Sequence, residues 1–121
     1  MKMTATTRQV GFVAIVDISG QIVLGKESAS LRDLIGDLLS KGHKKILLNL
    51  ANVERIDTVG LAYIISALKS VRMQEGELKL LNPRKHVQDL FQLTKLYTVF
   101  DIRDDEAAAV KSFGESSAAT A

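Results

Sequence analysis

The sequence predicts an α/β domain, a mixed β-sheet of about five strands with about four helices packed on it. Three observations point there. Short apolar runs alternate with longer stretches of helical period. Turn-forming Gly, Ser, Asn and Pro fall between them. The chain has 121 residues, 46% hydrophobic and 25% charged, which suits one buried core. The resulting order is β-β-α-β-α-β-α-β-α, and strands alternating with helices call for a mainly parallel or mixed sheet.

Each element has a local reason. Val13, Ile15, Val16 and Ile18 form an apolar stretch that stops at Ser19 and Gly20, as a strand would. Residues 6–10 offer it a hairpin partner through Gly11. A loop with Gly25 follows, and Ser28 or Ser30 is placed to cap the next helix. In that helix Leu31, Leu34, Ile35, Leu38 and Leu39 share one face. Gly42 closes it, with Lys41 near its negative end. Residues 46–50 (ILLNL) are short and almost continuously apolar, as in a strand buried on both faces.

A turn is expected over residues 51–57. Leu61, Ile64, Ile65 and Leu68 then share a second helical face that runs out near Gly76. Leu78, Leu80 and Leu81 form a strand stopped at Asn82 and Pro83. A third helix turns Val87, Leu90 and Phe91 inward, and Val99, Phe100 and Ile102 make a last short strand. Residues 107–113 close the chain as a helix. Residues 1–8 are expected to be flexible or the first strand, residues 9–113 the domain, and residues 114–121 a disordered tail.

Composition excludes several functions. The absence of cysteine removes disulfides, thiol catalysis and thiolate metal sites, and fits a reducing compartment. The start MKMTATTRQV lacks an apolar stretch of signal-peptide length, and no apolar run approaches the ~20 residues of a membrane span, so a cytoplasmic location is expected. Sixteen basic residues nearly cancel fourteen acidic ones. The short clusters KGHKK (residues 41–45) and RKH (residues 84–86) fit solvated helix ends better than a nucleic-acid surface, so no direct nucleic-acid partner is expected.

Catalytic patterns are missing as well. Neither a GxGxxG nor a GxxxxGK[ST] phosphate cradle occurs, nor a GxSxG elbow. His43 and His86 sit in separate turns with no acid at metal-ligand spacing. Asp104, Asp105 and Glu106 precede a helix, where negative charge suits the positive dipole end. No catalytic, cofactor-binding or metal-ligating residue is assigned, and the chain is expected to be no enzyme.

One segment stands apart. Residues 55–62 (RIDTVGLA) join a buried strand to an amphipathic helix, with Asp57 and Thr58 at the helix start. A cap there accepts a free backbone N–H and stabilises the start by ~1 kcal/mol. The same position leaves a hydroxyl exposed at the positive helix end, where a phosphate is tolerated by the fold while the surface gains charge.

Here the sequence resembles the STAS domain (sulfate transporter and anti-sigma factor antagonist), and within it the small bacterial anti-sigma factor antagonists. The resemblance covers residues 9–113. It includes Ser19 and Gly20, the ILLNL strand, residues 53–62, Gly76 before a Leu-rich strand, Asn82 and Pro83, and LFQLTKLYTVF at residues 90–100. Asp57, Thr58, Val59, Gly60 and Leu61 occupy the places of the family's Asp-Ser-Ser-Gly-Leu. The resemblance implies a mixed sheet with packed helices and a phosphoacceptor at Thr58. It implies two partners: an anti-sigma factor that is also a serine/threonine kinase, bound only by the unphosphorylated form, and a phosphatase that resets the switch. Thr58 keeps the hydroxyl of the family serine, Val59 replaces the second serine, and Val23 stands near the place of a family acid. The expected docking residues are Asp57, Thr58, Val59, Gly60 and Ala62, with Val23 and Ser28 alongside. Asp-Thr-x-Gly-Leu-Ala also resembles the STAS accessory subunits that regulate the ATPase of bacterial phospholipid-transport ABC systems, which is the alternative reading.

Overall fold

The structure, a computed structural model, describes residues 3–120, with side chains through residue 113. It contains strands β1 (Met3–Val10), β2 (Val13–Ile22), β3 (Lys45–Ile56), β4 (Glu77–Leu81) and β5 (Asp101–Arg103). The helices are α1 (Lys26–Ser40), α2 (Thr58–Met73), α3 (Lys85–Leu93) and α4 (Glu106–Thr120), and a 3₁₀ turn spans Leu96–Thr98. The expected tail, residues 114–121, lies outside the residues whose side chains are described.

The strands form one sheet in the order β1-β2-β3-β4-β5. β1 and β2 are an antiparallel hairpin with Val10 opposite Val13, and the other neighbours run parallel. Successive residues of a strand face opposite sides of a sheet. On one side Val16, Ile18, Ile46, Leu48, Leu50, Leu78 and Leu80 pack under α1, α2 and α3. On the other, Val13, Ile15, Leu47 and Leu81 pack against Ala109 and Phe113 of α4. Both sides of the central strands are therefore covered, which is why ILLNL is almost all apolar.

The second side is tied as well as packed. Lys79 Nζ donates to Ser112 Oγ at 2.7 Å and lies 4.7 Å from the Phe113 ring centroid. Its charge faces Asp101 at 3.4 Å. Arg8 of β1 pairs with Asp17 at 2.6 Å and with Glu106 at the start of α4. Asp105 accepts from Ala108 N at 2.9 Å and caps that helix, so the acidic cluster serves the fold.

Several expectations change. Residues 51–56 are strand, not turn: β3 continues beside β2, pairing Val53 with Gly20 and Ile56 with Ile22. β4 pairs only as far as Asn49, so Asn52, Glu54 and Arg55 on the unshielded extension are exposed and polar. α1 begins at Lys26 after Gly25, without a side-chain cap, and Ser28 and Ser30 lie inside its first turns. Ile65 is exposed, and the inward face of α2 is Leu61, Ile64, Ala67, Leu68 and Val71. α2 runs out before Gly76, as expected, and Glu75 takes the left-handed conformation at φ 61°. Gly76 is needed for space: a Cβ there would stand 2.5 Å from the Lys44 carbonyl oxygen. The last strand begins at Asp101, since Val99 is exposed and Phe100 turns down onto Phe91, ring centroids 5.8 Å apart.

Phe91 is fully buried beneath the α3 side of the sheet. Phe91→Ala is expected to lower unfolding stability by ~3–5 kcal/mol, measured by denaturant titration.

Candidate functional site

β2 and β3 are parallel, so their C-terminal ends lie on one edge of the sheet, where α1 and α2 begin. Loops at such an edge commonly bind other molecules. Here the two loops are joined by one carboxylate. Asp57 Oδ1 accepts from Gly60 N at 2.7 Å, which caps α2, and Oδ2 accepts from Leu24 N at 3.1 Å in the β2–α1 loop. Asp57 N donates in turn to Ile22 O at 3.3 Å. The Gly60 and Leu24 N–H groups stabilise the charged form, in that order, and hold the Asp57 carboxyl below its ordinary range.

The loop is pinned a second time. Ser28 Oγ accepts from Val23 N at 2.9 Å and faces Gln21 O at 3.4 Å. Ser28 is only 2% exposed. Ser28, expected beside the docking residues, lies inside the loop and shapes it from there. Gly60, also among the expected docking residues, lies behind the surface. It is buried, and a Cβ on it would fall 1.7 Å from the Ile22 carbonyl oxygen. Only glycine lets the start of α2 sit this close to the end of β2.

Thr58 is the first residue of α2 and is exposed. Ala62, one turn further on, is exposed too, and Val59 and Val23 are half-buried. The expected residues thus divide. Thr58, Ala62, Val59 and Val23 present surface, Asp57 organises it, and Gly60 and Ser28 lie behind it. Leu24 was missed: it is 71% exposed at the loop tip, and its N–H is the one held by Asp57. In the run Gln21-Ile22-Val23-Leu24-Gly25 only its position next to Gly25 distinguishes it from buried Ile22.

Chemically, the edge offers a hydroxyl at a helix N-terminus, one ordered carboxylate and a rim of apolar side chains. Both histidines lie elsewhere: His43 follows α1, and the His86 ring contacts the Glu54 carbonyl. Among the described residues no group of three or more His, Cys, Asp or Glu could hold a metal ion. No described helix is long and apolar enough to cross a membrane.

Two outcomes follow from this geometry. Gly60→Ala is expected to lower stability by about 3 kcal/mol or more, or to shift the start of α2, measured by denaturant unfolding and amide chemical shifts. A depressed carboxylate contributes stability above its unfolded-state pKa of about 3.9, and loses it as pH falls through its folded value. The stability difference between the natural chain and Asp57→Ala is therefore expected to be full at pH 7 and to shrink steadily below about pH 4.

Known proteins share this fold. Residues 4–109 match the STAS domain family. The candidate anti-sigma factor antagonist BtrV of Bordetella bronchiseptica is 23% identical over 111 residues, 92% of this chain and 95% of that protein. The crystal structure of a candidate anti-sigma factor antagonist from Thermotoga maritima superposes with a TM-score of 0.77 at 26% identity, covering 90% of this chain and 93% of that one. The Bacillus cell fate determinant SpoIIAA in its phosphorylated form shares the fold, with a TM-score of 0.70 at 17% identity over 90% of this chain and 98% of that one. With its five-stranded mixed sheet, its four helices and nearly its whole length matched, the chain belongs to the STAS domain family.

Proposed function

We propose that the chain is an anti-sigma factor antagonist acting as a non-enzymatic phosphoswitch. Unphosphorylated, it binds an anti-sigma factor that is also a serine/threonine kinase, through Thr58, Val59, Ala62 and Val23 with Leu24 beside them. The kinase moves the γ-phosphoryl group of ATP onto Thr58 Oγ, releasing ADP, and the complex separates. A phosphatase restores the hydroxyl. The observation that carries this reading is the exposed Thr58 hydroxyl on a helix start fixed by Asp57 and Gly60.

The physics supports a change of surface, not of fold. A phosphate adds a charge of about −1.5 to −2 at the positive end of α2, where the helix dipole favours it. A partner docked on Thr58 must then desolvate that charge beside the Asp57 carboxylate. That desolvation penalty falls on the complex, and the free chain escapes it.

Incubation with the anti-sigma kinase and ATP is expected to add one phosphate, located at Thr58 by mass spectrometry. Thr58→Ala is expected to bind within about threefold of the natural chain and to resist modification, because Ala removes only a small exposed group. Thr58→Glu is expected to bind at least ~10-fold more weakly by calorimetry, since one desolvated charge costs more than ~1.4 kcal/mol. Phosphate found elsewhere with Thr58 untouched contradicts the switch. Specific binding to a transport ATPase subunit, and to no sigma-regulating kinase, assigns the chain to the ABC accessory role that Asp57-Thr58-Val59-Gly60-Leu61-Ala62 also resembles.

A further inference from the structure

The outward face of α2 continues beyond the residues that the Thr58 switch uses. Thr58, Ala62, Ile65, Lys69 and Met73 recur at helical spacing along one side of the helix, and all five are exposed. At its far end this face meets the segment before β5. Arg72 donates to the Val99 carbonyl at 3.2 Å, and a cleft of about 350 Å³ lies among Ile65, Leu68, Lys69, Arg72, Met73 and Val99. Eight large hydrophobic residues are exposed among the described residues, and five of them (Ile65, Met73, Leu93, Tyr97 and Val99) belong to α2 or to residues 90–99.

Charge is as uneven as hydropathy. The cleft is lined by Lys69 and Arg72 and by no acid, while Glu77 and Asp101 lie on the far side of Arg72 and Val99. A merely solvated surface mixes both signs. Concentrated apolar side chains with charge of one sign complement a partner that is apolar and oppositely charged.

We propose that this face is the second half of the partner's footprint, a cleft that takes an acidic amphipathic helix of the partner. Its apolar side chains lie between Ile65 and Val99, and its carboxylates meet Lys69 and Arg72, the two cations that line the cleft. The inference rests on the reading of Thr58 as a docking site, because the two halves share one continuous helix face. Ile65 and Met73 stand roughly 10 Å and 22 Å along the helix from Thr58 at 1.5 Å per residue, so at physiological salt the cleft is largely screened from charge at Thr58.

The test titrates the isotope-labelled full chain with a designed helical peptide of Leu on one face and Glu on the other. A counterpart with Lys for every Glu and a scrambled acidic peptide serve as comparisons. The acidic amphipathic peptide alone is expected to give saturable amide shifts at Ile65, Lys69, Met73 and Val99. Ile65→Asp and the charge reversal Lys69→Glu are each expected to weaken it about tenfold, the loss typical of a hot-spot side chain. Thr58→Glu is expected to change it less than about twofold, given the screening. No saturable shift, equal shifts with the basic or scrambled peptide, or loss of binding in Thr58→Glu overturns the proposal. Concentration-dependent shifts of the same amides without peptide also overturn it and make a second copy the occupant. Peptide binding by a chain that the kinase leaves unmodified at Thr58 refutes the switch and keeps the cleft, and the converse keeps the switch and refutes the cleft.

Discussion

The edge of this protein where the β2–α1 loop meets the start of α2 depends on the Asp57 carboxylate. One oxygen holds the first turn of α2 through Gly60 N, and the other holds the β2–α1 loop through Leu24 N. Two segments 33 residues apart in sequence are thereby fixed to each other by hydrogen bonds to a single side chain. Its depressed pKa is the electrostatic mark of those two N–H groups. The arrangement also requires the backbones to approach closely, and Gly60 supplies that by having no side chain to strike Ile22. Thr58 and Leu24 stand outward because the residues on either side of them are held.

The rest of the molecule supports this edge from both sides of the sheet. α1, α2 and α3 seal one side of the sheet, and α4 closes over the other with Phe113 and Ala109, tied by Lys79 and Arg8. Parallel order places the ends of β2 and β3 side by side, so two loops distant in the chain make one surface. Charge added there meets a rigid, already hydrogen-bonded framework. It alters what the surface accepts more readily than how the chain folds.

Much of this was legible in the residues. The element order, the buried ILLNL strand and the helical face of Leu31, Ile35, Leu38 and Leu39 follow from periodicity, because long packed elements repeat their burial in the sequence. What periodicity missed has local causes. The end of β3 looked like a turn because it is paired on one side only and is polar where it meets water. Ile65 looked like core because its spacing suits the inner face, yet the contacts of α2 leave it outside. At the site, Asp57 as a cap and Thr58 as an exposed hydroxyl were readable from their place before an amphipathic run. The inward roles of Ser28 and Gly60, and the exposure of Leu24, were not. They are set by contacts with residues distant in the chain, or by one loop's path, which no local pattern records.

The most direct test of the account uses the full chain carrying phosphothreonine at position 58, made by genetic encoding and compared with the unmodified chain. Amide spectra and thermal unfolding report the fold, and calorimetry against the anti-sigma factor reports the surface. The account predicts a midpoint changed by no more than a few degrees, as a perturbation under ~1 kcal/mol would give, with binding lost. A modified chain that still binds as tightly, or one that lets go because α2 has come apart, would contradict it.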